Sequence, residues 1–96
     1  MSAYLLVDTQ IENPDEYEKY KKLAKPIAEK YGGKYRVRGG DMDVRETDLW
    51  KPTRMVIIEF PDMAAARAFL DSDEYAPVKP IRRDNAKCTL VMLDGI

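Results

Sequence analysis

Ninety-six residues fit a single domain, and at that size folding hides roughly 65% of the unfolded chain's surface, enough for a core with little to spare. A hydrophobic share of 45%, a charged share of 34% and a formal charge of −1 describe an ordinary globular composition and exclude the net basic field that draws proteins to nucleic acid or anionic lipid. With one cysteine and no histidine, an internal disulfide, a cysteine-rich zinc site, a histidine-based triad and proximal-histidine haem ligation are all excluded.

Tyr4 to Val7 is apolar at both parities, which predicts a strand buried on both faces. Asn13-Pro14-Asp15-Glu16 closes it and opens a helix, with proline in the first turn and Asn or Asp as cap. Asp15 and Glu18 read as a variant capping box. Tyr17, Tyr20, Ala24, Ile27, Ala28 and Tyr31 recur at steps of three and four, so one stripe of this helix faces a core. The tyrosines are read as core residues rather than cofactor contacts. Pro26 should bend the helix and Gly32-Gly33 should stop it.

Lys34 to Arg38 alternates charged and apolar residues, as a half-exposed edge strand does. After the break at Gly39-Gly40, Met42 to Thr47 is expected to continue that strand past a bulge. A turn carrying Trp50 and Pro52 follows; Trp50 is expected either to anchor a partner chain at an interface rim or to lid a pocket. Met55 to Ile58 is again apolar at both parities and belongs in the middle of the sheet. Asp62 caps a second, alanine-rich helix marked by Met63, Ala66, Phe69 and Leu70. Ser72 to Asp84 reads as loop with at most a short helix near Pro80 to Asp84, and Ala86 to Leu93 as the last strand. Cys88, beside an apolar run, reads as a buried inert thiol.

The order strand, helix, strand, strand, helix, strand is that of a ferredoxin-like α+β fold: a four-stranded antiparallel sheet with two main helices on one face. An echo at Ile11-Glu12-x-Pro14-Asp15 and Ile58-Glu59-x-Pro61-Asp62 supports two interleaved halves. Two helices cover only one face, yet three strands are apolar on both. Leu5, Val7, Val56, Ile58, Phe60, Val91 and Leu93 are assigned to the helix side. Tyr4, Leu6, Met55, Ile57, Cys88, Leu90 and Met92 are assigned to the uncovered side. Leaving that set wet exposes more apolar surface than a soluble monomer usually carries, so a homodimer packed sheet on sheet is expected.

Asp8 and Glu59 punctuate the uncovered parity, within expected reach of Arg36 or Arg38. They read either as an ion-pair network or as acids in an apolar pocket, where raised pKa values occur. In the second case Glu59 or Asp8 is the candidate general base. Arg38 is the candidate for holding a substrate's anionic group, with Gly39 and Tyr35 beside it. No dinucleotide or phosphate-loop fingerprint occurs, and the central strands lack the aromatic and basic pattern of RNA-recognition domains. No apolar run is long enough to span a bilayer, and no signal-peptide pattern is seen, so a cytoplasmic location is expected.

Tyr31-Gly32-Gly33-Lys34-Tyr35, Val37-Arg38-Gly39-Gly40, Glu59-Phe60-Pro61, and Ala65-Ala66-Arg67-Ala68-Phe69 with Ser72 and Glu74-Tyr75 together resemble the domain-of-unknown-function family numbered 1330. The resemblance covers Tyr4 to Leu93. It implies a dimeric α+β barrel, in a superfamily that includes cofactor-free monooxygenases, haem-degrading enzymes, isomerases and ligand-sensing domains. Three functions are carried forward. One is an enzyme acting without metal or cofactor on a small organic acid or aromatic metabolite. The others are a non-catalytic module that binds a small organic ligand, and a purely structural dimer.

Overall fold

The computed structural model describes residues 1–96 throughout. In chain order the elements are β1 (Ala3–Ile11), α1 (Pro14–Lys30), β2 (Lys34–Arg38), β3 (Met55–Phe60), α2 (Met63–Leu70), α3 (Lys79–Asn85) and β4 (Ala86–Asp94). The four strands form one sheet in the order β2-β3-β1-β4, each neighbouring pair antiparallel. This is the ferredoxin-like arrangement expected from the strand–helix rhythm, with the doubly apolar strands β1 and β3 in the centre.

Asn13 caps α1, its side chain accepting from the Glu16 amide at 3.4 Å, with Pro14 in the first turn. The expected Asp15–Glu18 box therefore lies inside the helix. The helix runs through Pro26 to Lys30, with Tyr31 as its cap, and the chain turns away at Gly32, whose φ of +89° glycine tolerates freely. Asp62 caps α2, accepting from the Ala65 amide at 2.8 Å. The two caps occupy different places in the Ile-Glu-x-Pro-Asp echo. In the first copy the strand ends at Ile11; in the second it runs on to Phe60. Phe60 must reach the core, where it is fully buried and stacks on Phe69 at 5.7 Å between ring centroids.

Leu5, Val7, Val56, Ile58 and Phe60 pack with Ala24, Ala28, Ala66 and Phe69 into one core between sheet and helices. The assignment of β4 is corrected. Its register pairs Leu5 with Met92, Val7 with Leu90 and Thr9 with Cys88, so Cys88, Leu90 and Met92 face the helices, packed against the core. Val91 and Leu93 point the other way, 41% and 45% exposed. A strand apolar at both parities gives no internal sign of which set faces in; pairing with β1 decides it. The bulge expected beyond Gly40 lies instead inside β2, between Tyr35 and Val37. Met42 to Thr47 joins no strand; it belongs to an irregular connection between β2 and β3.

The uncovered face survives the correction. One row crosses all four strands as Val37, Ile57, Leu6 and Val91. The next row holds Lys34, Glu59, Tyr4 and Leu93, and the row beyond the apolar centre holds Met55, Asp8 and Thr89. The face is apolar in the middle and edged by charge. No helix of the chain is long and apolar enough to cross a membrane.

Candidate functional site

The two acids singled out in the sequence are not brought together. Tyr4 pairs with Glu59 and Asp8 with Met55, so four residues of β1 separate them, about 14 Å at strand rise. Glu59 accepts hydrogen bonds from Ser2 Oγ at 2.5 Å and Arg36 Nε at 2.8 Å. These bonds hold its carboxyl below the usual carboxylate range, opposite to the raised value expected of a base in an apolar wall. Of the two arginines considered, Arg36 makes this pair; Arg38 pairs in register with Val56 and belongs to the helix side.

Asp8 is almost completely buried. Its Oδ1 accepts from the amides of Thr53 and Arg54 at 2.9 and 3.1 Å, and its Oδ2 from the Trp50 indole at 2.8 Å. Burial pushes its pKa up, but the hydrogen bonds from Thr53, Arg54 and Trp50 outweigh it and the net shift is downward. Asp8 thus ties the β2–β3 connection to the sheet. Trp50, expected as a rim anchor or lid, is half exposed and fastened to Asp8 by its ring nitrogen.

A cavity opens on the opposite side of the sheet, under the helices. Its floor is Leu5, Val7, Val56, Ile58 and Leu90 from three strands, and Phe69 of α2 closes it from above. Around it stand four phenols: Tyr17 and Tyr20 from α1, Tyr35 from β2 and Tyr75 from the α2–α3 connection. Helical spacing put Tyr17 and Tyr20 on the buried stripe; the same spacing turns them toward this cavity. Four cations complete the lining: Lys21, Arg38, Arg54 and Arg82. The cavity volume is about 40 Å³, room for about three waters.

The polar groups are organised as pairs. Tyr20 Oη and Tyr75 Oη share a hydrogen bond at 2.8 Å, and Arg82 Nε donates to Tyr75 Oη at 3.4 Å. The Arg38 guanidinium lies 5.0 Å from the centre of the Tyr35 ring, and that of Arg54 lies 5.9 Å from the Tyr17 ring. Burial raises the Tyr35 hydroxyl to about 12, with Arg38 pulling the other way. Burial likewise raises Tyr17, and burial beside the Tyr75 hydroxyl raises Tyr20. These hydroxyls are donors at neutral pH, not bases. Cys88 is half-buried, its thiol 3.7 Å from Thr9 Oγ1. No group of three potential metal-ligating side chains forms.

Of the expected site residues, Tyr35 and Arg38 line the cavity, and Gly39 shapes its edge. Gly39 has φ +72°, and a Cβ there would lie 2.7 Å from Arg54 Nε. Gly39→Ala is therefore expected to lower stability by about 1–2 kcal/mol through its left-handed backbone and to displace Arg54 from the Tyr17 ring. Thermal unfolding and the Tyr17 ring resonances in NMR check both effects. Arg54, Tyr75 and Arg82 were missed because they lie outside the apolar stripes, in connections and a seven-residue helix. A basic residue bordering a doubly apolar strand was the only signal, and it marked Arg54 alone.

A family model described as Domain of unknown function (DUF1330) matches residues 2–96. No curated protein matches the chain in sequence. Among solved structures it is similar to the methylated RPA0582 protein of Rhodopseudomonas palustris, at 16% identity and a TM-score of 0.78, covering 99% of this chain and 81% of that one. It is similar to SnoaB, a cofactor-independent oxygenase from Streptomyces nogalater, at 16% identity and a TM-score of 0.71, covering 99% and 93%. A dimeric ferredoxin-like protein of unknown function from Jannaschia sp. CCS1 aligns at 17% identity and a TM-score of 0.75, covering 99% and 100%. At these identities the likeness establishes the fold.

Proposed function

The chain belongs to the DUF1330 family, a domain of unknown function, and from that premise we propose that it is a homodimeric enzyme that takes a small organic molecule into the cavity between its helices and sheet and transforms it with its own side chains, without metal or cofactor. The carrying observation is an apolar cavity ringed by phenol and guanidinium groups, which is the composition of small-molecule sites. Because the hydroxyls of Tyr17, Tyr20 and Tyr35 are shifted upward, the site does its work as a donor of hydrogen bonds. It stabilises negative charge that develops on an enol or phenol of the substrate, as preorganised donors do. Oxygenation of such a substrate by dioxygen is one reaction of this kind, and the cofactor-independent oxygenase SnoaB has a similar fold.

On this reading Glu59 and Asp8, on the far face, hold structure. Glu59→Gln is expected to leave turnover within about threefold, since it lies outside the cavity. Tyr75→Phe removes the hydroxyl that joins Tyr20 to Arg82 and should lower turnover about tenfold to a hundredfold, the worth of hydrogen bonds to a charged group. Oxygen uptake and mass spectrometry on a panel of small phenols, enols and organic acids supply the assay. Loss of activity in Glu59→Gln would return the base to the sheet face.

A second reading is a binding module without chemistry. It is favoured by the cavity lining, which includes neither Asp nor Glu to serve as a base. It differs in outcome: a ligand raises the melting temperature and is recovered unchanged.

A further inference from the structure

Resting on that reading of the cavity, we infer that its ligand is an anion, a small carboxylate or its enolate or phenolate equivalent, whose charged end is received by Arg38, Arg54 and Arg82. Charge that a protein buries is ordinarily paired with opposite charge. Arg82 is only 5% exposed, yet no ion pair of the chain includes it. The five ion pairs are Lys19–Glu16, Lys21–Glu18, Lys30–Glu74, Arg36–Glu59 and Arg45–Asp43. Arg38 and Arg54 equally make no direct ion pair. So one cavity in a chain of net charge −1 gathers three guanidinium groups that no carboxylate bonds directly; Glu18, paired with Lys21, acts on Arg38 only from a distance.

The tyrosines hold these cations in place without cancelling them. Arg38 faces the Tyr35 ring and Arg54 the Tyr17 ring, and Arg82 donates to the Tyr75 oxygen through Nε, with the Cys88 thiol also beside its guanidinium. A ring face or a phenol oxygen orients a guanidinium but leaves its charge whole. The planar fork of donors that remains matches the two oxygens of a carboxylate. The apolar floor of Leu5, Val7, Val56 and Ile58 fits the hydrocarbon part of the same molecule and keeps the dielectric low, which strengthens the attraction. Exposure grades from Arg82, buried, through Arg54, half-buried, to Arg38, exposed on the edge strand, so the positive potential runs from solvent into the cavity. Fields focused in such clefts raise the local concentration of an oppositely charged ligand.

Matched pairs of acid and amide test this: acetate against acetamide and benzoate against benzamide, titrated by calorimetry and by chemical-shift perturbation into the full chain. The acids are expected to bind at least about tenfold more tightly than the amides. Arg82→Gln should weaken the acids about tenfold and leave the amides unchanged. If Arg82→Gln does not fold, the exposed Arg38→Gln gives the same contrast with a smaller change. Equal affinities for acid and amide, perturbing the resonances of Tyr17, Tyr20 and Tyr35, would overturn the anion inference while the cavity remains the binding site. Absence of any perturbation at those tyrosines with either member of both pairs would overturn the cavity reading and this inference together.

Discussion

If the proposed homodimer forms, at twice the chain mass of 11.0 kDa, replacing Ile57 with lysine is expected to convert it to a monomer at micromolar concentration. Ile57 stands in the centre of the uncovered face, with Val37 beside it on β2 and Leu6 beside it on β1, and Val91 beyond. A two-fold interface meets each substitution twice. Desolvating an unpaired ammonium costs several kcal/mol after relaxation, so two of them weaken association by about 4 kcal/mol or more, roughly a thousandfold in Kd. Light scattering coupled to size exclusion reads the outcome. Glu59→Gln is the control, because Glu59 lies at the edge of that face in the pair with Arg36. An unchanged dimer in Ile57→Lys, or an 11.0 kDa wild-type chain, would show that something other than a second copy shields the face.

Asp8→Ala is expected to destabilise the fold by about 2–4 kcal/mol, because it strands two backbone amides and an indole N–H that had a charged acceptor. The same change frees Trp50, the sole tryptophan, so its emission moves to the red and its anisotropy falls. The pH dependence follows from the direction of the shift. The Asp8 pKa is lower in the folded chain than its ordinary value of 3.8. Its contribution is therefore complete above 3.8 and is lost as pH falls through the lower folded value. Asp8→Asn removes that contribution at neutral pH and flattens this part of the acid limb. Glu18, Glu59 and Glu74 are shifted downward too, so the limb shrinks without vanishing. Unchanged stability and emission in Asp8→Ala would mean that the connection of residues 40–54 is held by other contacts.

The cavity was within partial reach of the sequence. Tyr17 and Tyr20 show by helical spacing that they face inward, and Arg38-Gly39 stands out as a cation beside a permissive backbone. Arg82 and Tyr75 gave no such sign. They sit in a short helix and its connection, where periodicity has too few turns to show a buried stripe. Asp8 and Glu59 drew attention for the right reason, acids on an apolar parity. Their roles depend on what donates to them: a serine and an arginine in one case, an indole and two amides in the other.

By itself the sequence determined the strand and helix order, the two central strands, the cap at Asp62, and an excess of apolar sheet surface; it left the first cap open between Asn13 and Asp15. Each of these rests on local periodicity or on turn chemistry, which act between near neighbours along the chain. Only the tertiary structure decided which parity of β4 faces the helices, because a strand apolar on both sides leaves its register to its partner. Only the tertiary structure, too, gathered Arg38, Arg54 and Arg82 around one cavity. They come from an edge strand, a connection and a short helix, and what they share is a place in space, which no spacing between residues encodes.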